Sequence, residues 1–333
     1  MRRSNGFSAL VLAACLVALL GAACGDSDTG DTQIGGVQSA SSGQAEGSKV
    51  TLADLSLDQR ELAWVAARKS GGEPVTAAMR IREDTYVPKP DGGADGFDYE
   101  LLLAFGEALG LPVTIVDQTT IDAFFTRDGV MPKDLGAPGS EYGYTPDLLK
   151  TVDLYGGPFA VVPWRQRLMT MIPLFPTRSQ LAGRIGEEIS TVKDMDGKRI
   201  AVIKDSIQHR NLKSLAERAN LSFGYVYASG ETELFDLVAD GKADYFLDGS
   251  VYFAKNSAKL TGISLSPFPE EVISTGWGVK KDDGKLVSIL GKFMAASLRS
   301  GLFGSLWSKT FGMDFDAYIR AVLTTAESAG AAP

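Results

Sequence analysis

The sequence predicts an α/β protein with mainly parallel sheets, and three observations point there. Strand-like and helix-like patterns alternate from Val75 onward at the spacing of strand–helix–strand units. The chain has 333 residues, room for about two domains of ~150 residues each. Hydrophobic residues make up 44% and charged residues 22%, the composition of a chain that buries a core.

Taken in order, Thr51 to Lys69 reads as an amphipathic helix with Leu62, Trp64 and Val65 apolar. Val75 to Ile81 is the first strand. Asp98 can cap a helix running to Leu109, with Leu101, Phe105 and Ala108 on one face and Gly110 as its stop. Pro112 to Val116 is β-branched and reads as a strand. Arg199 to Ile203 is a strand, Gln208 to Asn220 a helix and Phe223 to Tyr227 a strand. Glu231 to Asp240 is a helix ended by Gly241, and Tyr245 to Leu247 a short buried strand. Near the end, Leu286, Ile289, Leu290 and Phe293 keep helical spacing up to Gly301. Phe303, Leu306 and Trp307 mark one more helix before Gly312.

The first segment is an address. Arg2 and Arg3 precede an apolar run from Phe7 to Ala23, a charged n-region and an h-region. Leu20-Gly21-Ala22-Ala23-Cys24 resembles a bacterial lipobox, so residues 1–23 are expected to be removed and Cys24 to be lipidated. Leu12-Ala13-Ala14-Cys15 matches the letters too, but cutting there would leave an apolar run behind. From 24 to 50 the chain is Gly, Ser, Asp, Thr and Gln, too polar to offset its ordering entropy, and reads as a tether. The expected location is the extracytoplasmic face of the cell membrane.

Composition excludes several functions. The net charge of -8, with no basic patch, argues against nucleic acid. The two cysteines, Cys15 and Cys24, precede the folded part, which therefore has no disulfide and no thiolate metal site. A His-based metal site or a Ser/His/Asp triad would have to use the single His209, which reads as a solvated residue in a first helical turn. Neither a metal nor another cofactor is expected.

Four pieces resemble the family 3 extracellular solute-binding proteins. They are Gly96-Phe97-Asp98-Tyr99-Glu100-Leu101 with Leu109-Gly110-Leu111-Pro112-Val113; Asp194-Met195-Asp196-Gly197-Lys198-Arg199-Ile200-Ala201-Val202; Gly241-Lys242-Ala243-Asp244-Tyr245-Phe246-Leu247-Asp248; and Gly278-Val279-Lys280-Lys281 with the closing Gly301, Trp307, Phe311 and Gly312. The resemblance covers roughly Val75 to Gly312. It implies a two-lobe, type II periplasmic-binding-protein fold with a hinge and an interlobe cleft. Lobe 1 would be 72–182 plus 273–328 and lobe 2 would be 183–272, with 51–70 a separate amphipathic helix. Leu55 to Lys69 and Pro163-Trp164-Arg165 look more like the solute-binding modules attached to sensor kinases and murein transglycosylases. No such domain follows here, which leaves the expectation of a free-standing receptor.

The resemblance also supplies candidate ligand contacts. Arg165 stands where family members present an arginine that pairs with a ligand carboxylate, a pairing suited to its planar fork of donors. The family's two threonines are here Ala160 and Val162, which puts an ordinary α-amino acid in doubt. Arg167 is the alternative if the register differs by two. Ser206 opens a helix, where free N–H groups and a hydroxyl bind anions, although Asp205 would oppose a carboxylate; the plain alternative is a helix cap. Asp248 follows an apolar strand and matches the aspartate that receives an ammonium, or else it caps the next helix. Tyr86, Phe97, Asp98 and Trp164 complete the set: Tyr86 as an aromatic over the ligand, Phe97 as a core residue or a cleft residue, Asp98 as a helix cap first, and Trp164 at the cleft or the lobe edge.

The expected function is capture of a small polar, amino-acid-like or carboxylate solute by interlobe closure, for an ABC permease partner, with no catalysis. A sensory module acting on a membrane sensor and a cyclohexadienyl-dehydratase-like enzyme are the alternatives. The segment Arg127 to Tyr144, rich in Gly and Pro, is expected to be a long loop near the cleft.

Overall fold

The structure is a computed structural model that describes residues 49–133, 135, 143–204, 206–256, 261–267 and 272–330. The expected signal segment, Cys24 and the expected tether up to Ser48 lie outside these residues, as do Asp205 and much of the expected loop after Arg127.

The helix expected over 51–70 is broken. A 3-10 turn spans Leu52–Leu55, Ser56 turns left-handed at φ 48°, and the helix α1 restarts at Gln59–Gly71. Asp58 stops the first turn and caps the second piece: its carboxylate accepts from the Arg60 and Glu61 N–H groups at 2.8 and 2.9 Å. Leu62 faces solvent, so the apolar face is carried by Val65 and Trp64. Arg68 fastens the helix, reaching Asp153 with both ends of its guanidinium at 2.9 and 2.5 Å, while Asp153 also accepts from the Thr76 N–H.

The chain then runs through β1 (Val75–Arg80), a small hairpin of β2 (Val87–Pro88) and β3 (Ala94–Asp95), α2 (Phe97–Leu109), β4 (Val113–Gln118), β5 (Leu154–Ala160), α3 (Pro163–Leu168) and β6 (Thr170–Thr177). It continues through β7 (Ser179–Arg184), β8 (Arg199–Ile203), α4 (Ile207–Ala219), β9 (Gly224–Ala228), α5 (Glu231–Ala239), β10 (Tyr245–Gly249), α6 (Ser250–Lys255) and β11 (Ile263–Pro267). It ends with β12 (Ile273–Val279), α7 (Gly284–Arg299), α8 (Leu302–Phe311) and α9 (Phe315–Gly330).

Two five-stranded sheets result, ordered β4-β1-β5-β12-β6 and β11-β7-β10-β8-β9. Each is parallel through its βα units and takes one antiparallel strand from a crossing between the halves. β12 inserts between β5 and β6, and β7 between β10 and β11. The outward crossing therefore falls at Arg178, not near 182–183: β7 pairs along its length with β10 and β11, so residues 179–182 belong to lobe 2. The return lies between Pro267 and Ile273.

Both faces of each sheet are covered, and residues alternate between them with the period of two of a pleated strand. Along β1, Val75, Ala77 and Met79 enter one core with α2, α7 and α8, while Ala78 enters another with Phe124, Tyr155 and Phe159. Along β10, Phe246 packs against α5, while Tyr245 and Leu247 pack against α4.

Two charged groups organise lobe 1. Asp98 does not cap α2, because that helix starts one residue earlier with Gly96 as its N-cap at φ 130°. A side chain at Gly96 would meet the Thr85 carbonyl at 2.3 Å, so glycine is required there. Asp98 is instead 2% exposed and accepts from the Trp277 indole N–H at 2.6 Å, joining α2 to β12. Burial pushes its carboxyl up to about 8, partly offset by that bond. Glu61 goes the other way: burial raises it, but bonds from Lys292, Ser288 and the Asp58 N–H outweigh that and hold it at about 2.

The sign for Asp98 follows from linkage. The folded state holds a proton that the unfolded chain releases near pH 4, so this group's contribution to stability falls as pH rises from about 4 to about 8. Asp98→Asn keeps an acceptor for Trp277 and removes that titration. Its melting temperature should exceed that of the parent at pH 8.5 and show a flatter pH profile; a steeper profile would contradict the assignment. Phe97→Ala should cost about 3–5 kcal/mol in denaturant unfolding, as the loss of a fully buried ring does.

Candidate functional site: the cleft between the lobes

In open α/β sheets, ligands bind outside the carboxyl ends of the strands. The carboxyl ends of β1 and β5 lead to Arg82 and to Ala160–Pro163 in lobe 1. Those of β8 and β10 lead to Ser206 and Asp248 in lobe 2. The site candidates divide sharply on these elements.

Arg165 is the strongest. Pro163 starts α3 at its first position, where a missing N–H costs nothing. The Arg165 guanidinium lies over the rings of Trp164, Phe125 and Phe159 at 4.9, 5.1 and 5.8 Å. One Nη donates to the Ala160 carbonyl at 3.0 Å, whereas the buried Nε has no hydrogen-bond acceptor. Burial first, and the charge of Arg210 second, pull Arg165 down to about 10. Among the described residues no carboxylate pairs with this cation, so donors held among aromatic rings are left able to meet an anion. Arg167, the alternative, is exposed.

Trp164 is half-buried and packs edge-on against Phe125 at 4.9 Å, beside the Arg165 guanidinium. Phe125 and Phe159 were not anticipated. The sequence signal for Phe125 is the Phe124-Phe125 pair, which the fold makes into a 3-10 turn over Asp122–Phe125, whereas Phe159 lies in β5, whose Gly-Gly-Pro run hides it.

In lobe 2, the Ser206 Oγ accepts from the His209 N–H at 3.1 Å and caps α4. Asp248 is buried. It accepts from the Gly249 N–H at 2.7 Å and from Gln208 Nε2 at 3.3 Å, so the start of α4 and the end of β10 meet there. Arg210 follows on α4 and is exposed.

Three candidates lie elsewhere. Phe97 is fully enclosed among Phe175, Phe303, Trp307 and Phe311, the α2 start having rotated it into the core. Asp98 is committed to Trp277. Tyr86 packs on Tyr99 at 5.5 Å within the lobe 1 core, and its hydroxyl donates to Asp117; burial, then that bond, push it up to about 12. None of the three faces the cleft. His209 is not solvated as expected but 1% exposed, edge-on to Tyr225 and Tyr227 at 5.0 and 5.4 Å.

The crossing beside the cleft is tied on both sides. The Ser250 N–H donates to the Arg178 carbonyl at 2.8 Å, and its Oγ lies 3.1 Å from both Thr177 Oγ1 and the Tyr318 hydroxyl. That hydroxyl donates to the Pro176 carbonyl at 2.9 Å. The helix α6 straddles the junction: Val251 and Ala254 join the lobe 1 core, and Tyr252 and Phe253 the lobe 2 core.

Comparisons with known proteins agree with this architecture. A family model described as NMT1/THI5 like matches residues 176–275, which is lobe 2 with both crossings. Among solved structures, an ancestral cationic amino acid solute-binding protein aligns with TM-score 0.58 at 18% identity, over 74% of this chain and 99% of that one. The putative binding component of an ABC transporter from Wolinella succinogenes, complexed with lysine, aligns at 0.56 and 18%, over 73% and 97%. The L-cystine solute receptor of Neisseria gonorrhoeae aligns at 0.53 and 19%, over 75% and 97%. The chain therefore has the fold of the type II periplasmic binding proteins, as its resemblance to the family 3 solute-binding proteins implied.

Curated relatives in sequence carry another name. Membrane-bound lytic murein transglycosylase F of Stutzerimonas stutzeri is 27% identical over 247 residues, 73% of this chain and 47% of the relative. That of Ectopseudomonas mendocina is 27% identical over 235 residues, 69% and 44%. The chain spans about half the length of the curated relatives it matches. The expectation of a protein without catalysis is corrected here, because these relatives are named as enzymes.

Tyr318→Phe leaves the Ser250–Thr177 knot without one hydroxyl. It should lower the unfolding free energy by about 1–3 kcal/mol and speed amide exchange at Arg178 and Ser250.

Proposed function

We propose that the two-lobed unit captures a small solute bearing a carboxylate or similar anionic group, which Arg165 receives as the lobes close. The observation that carries this reading is the Arg165 guanidinium, buried among three rings and left with an unused Nε donor. Closure would bring the Ser206 cap and the first turn of α4 over the same anion, so that polar groups of both lobes converge while water leaves. In this reading Cys24 carries a lipid at the extracytoplasmic membrane face, the 24–50 segment tethers the clamp, and an ABC permease takes the solute onward.

The name of the sequence relatives favours a second reading, in which the clamp binds cell-wall fragments in support of murein-lytic chemistry. A panel of organic acids, amino acids, amines and muropeptides separates the two, read by thermal shift. A ligand at 100 times its Kd should add about 2.7 kcal/mol of stability. Arg165→Ala should abolish that shift and Arg167→Ala should leave it intact. A shift that survives Arg165→Ala overturns the proposal, and a shift confined to muropeptides selects the second reading.

A further inference from the structure

We infer that the short helix α6 is a strap between the lobes: its Lys255 end, tied to lobe 1 away from the crossings, holds the lobes in one relative orientation and sets how readily they turn. The inference takes lobe movement from the proposed function and adds what controls it.

The ends of both crossings gather at one place. Thr177, the last residue of β6, pairs with Ile273, the first of β12, and Gln180 of β7 pairs with Pro267, the last of β11. Arg178 stands between Thr177 and the start of β7, and Ser250 holds its backbone on both sides. The Arg178 N–H donates to Ser250 Oγ at 3.2 Å, and the Ser250 N–H donates to the Arg178 carbonyl at 2.8 Å.

The helix α6 starts at this place and ends away from it. It follows β10 of lobe 2 without a break and runs from Ser250 to Lys255, so its ends stand about 7.5 Å apart at 1.5 Å per residue. At the near end Ser250 meets the Tyr318 hydroxyl of α9. At the far end the Lys255 ammonium donates to the Thr310 carbonyl of α8 at 3.0 Å. Thr310 lies in the last turn of α8, where carbonyls lack partners within the helix and the dipole attracts a cation. Asn256 fixes the same end of α6, its Nδ2 and its N–H both donating to the Tyr252 carbonyl at 3.0 Å. The two faces of α6 serve different lobes: Val251 and Ala254, three residues apart, enter the lobe 1 core, and Tyr252 and Phe253 the lobe 2 core. The helix α9 braces the same junction, touching β6 of lobe 1 and β11 of lobe 2.

A turn of lobe 2 about the crossings keeps the contacts of Ser250, which lie on the pivot, but carries Lys255 off the Thr310 carbonyl. A contact made in one arrangement of the lobes and lost in another shifts the balance between them by its own strength.

The test is the interlobe distance in the unliganded full chain, read by pulsed electron paramagnetic resonance. Spin labels go on Ala66→Cys of α1 and Ser214→Cys of α4, both exposed, in a Cys15→Ser, Cys24→Ser background. Lys255→Met keeps the apolar stem and removes the ammonium. It should broaden the distance distribution and move the ratio of lobe arrangements by about tenfold, the size of one lost charge-assisted hydrogen bond. Lys255→Gln is a second variant with the same expectation. Lys255→Arg restores a charged donor and should return the distribution to that of the parent. Tyr318→Phe acts on the pivot and should leave the distribution unchanged, although it lowers stability. A parent distribution already as broad as that of Lys255→Met, or equal broadening in Tyr318→Phe or Lys255→Arg, overturns the inference. No solute is present, so a failure of Arg165→Ala to weaken binding would overturn the anion reading and leave this result standing.

Discussion

A guanidinium enclosed by three aromatic rings and joined to a single backbone carbonyl is the constraint from which the functional account follows. Removing water from a cation is costly, and proteins usually offset it with a carboxylate. Arg165 is given rings instead. Their faces attract the cation, but they cannot satisfy its remaining donors. The group is therefore held in place by its surroundings yet remains chemically incomplete, the state in which an anionic solute gains most from arriving. Preorganisation of this kind puts the cost of ordering the receptor into folding rather than binding.

The fold makes that arrangement possible by how it crosses itself. Each sheet takes one antiparallel strand that follows a crossing, so lobe 1 is complete only once the chain returns at β12. The outward crossing at Arg178 is tied to α6 and α9 through Ser250 and Tyr318. The helix α6 places residues in both cores within one and a half turns. A pivot built from packed side chains in this way allows rotation while limiting independent drift, since cores resist continuous deformation.

Much of the architecture was legible in the residues because it rests on local signals. The helix ending at Gly110 and the one ending at Asn220 both stop at left-handed residues, as their sequences imply. β8 falls on Arg199–Ile203 as its β-branched run predicts. What escaped was structure set by long-range pairing. β5 contains Tyr155-Gly156-Gly157-Pro158, a poor strand by propensity, and is held as one by neighbours on both sides. The crossing at Arg178 carries no punctuation at all between β6 and β7, so its position could not be read from composition. α9 keeps helical apolar spacing at Phe315, Tyr318, Ile319 and Val322, which seats it on the lobe 1 core, although the helices expected from the sequence end at Gly312.

The site was legible to a lesser degree, for a related reason. Arg165 was marked by motif and by the proline before it. Asp98 and Tyr86 were marked equally well, but each is claimed by a partner distant in sequence, Trp277 and Asp117, that no local pattern announces. The most direct measurement of the central claim is the Nε–H resonance of Arg165 in nitrogen-labelled protein, followed as a bound solute is titrated in. The account predicts that this resonance shifts and becomes protected from exchange while that of Arg167 stays put. Saturable binding with an unmoved Arg165 resonance would contradict it.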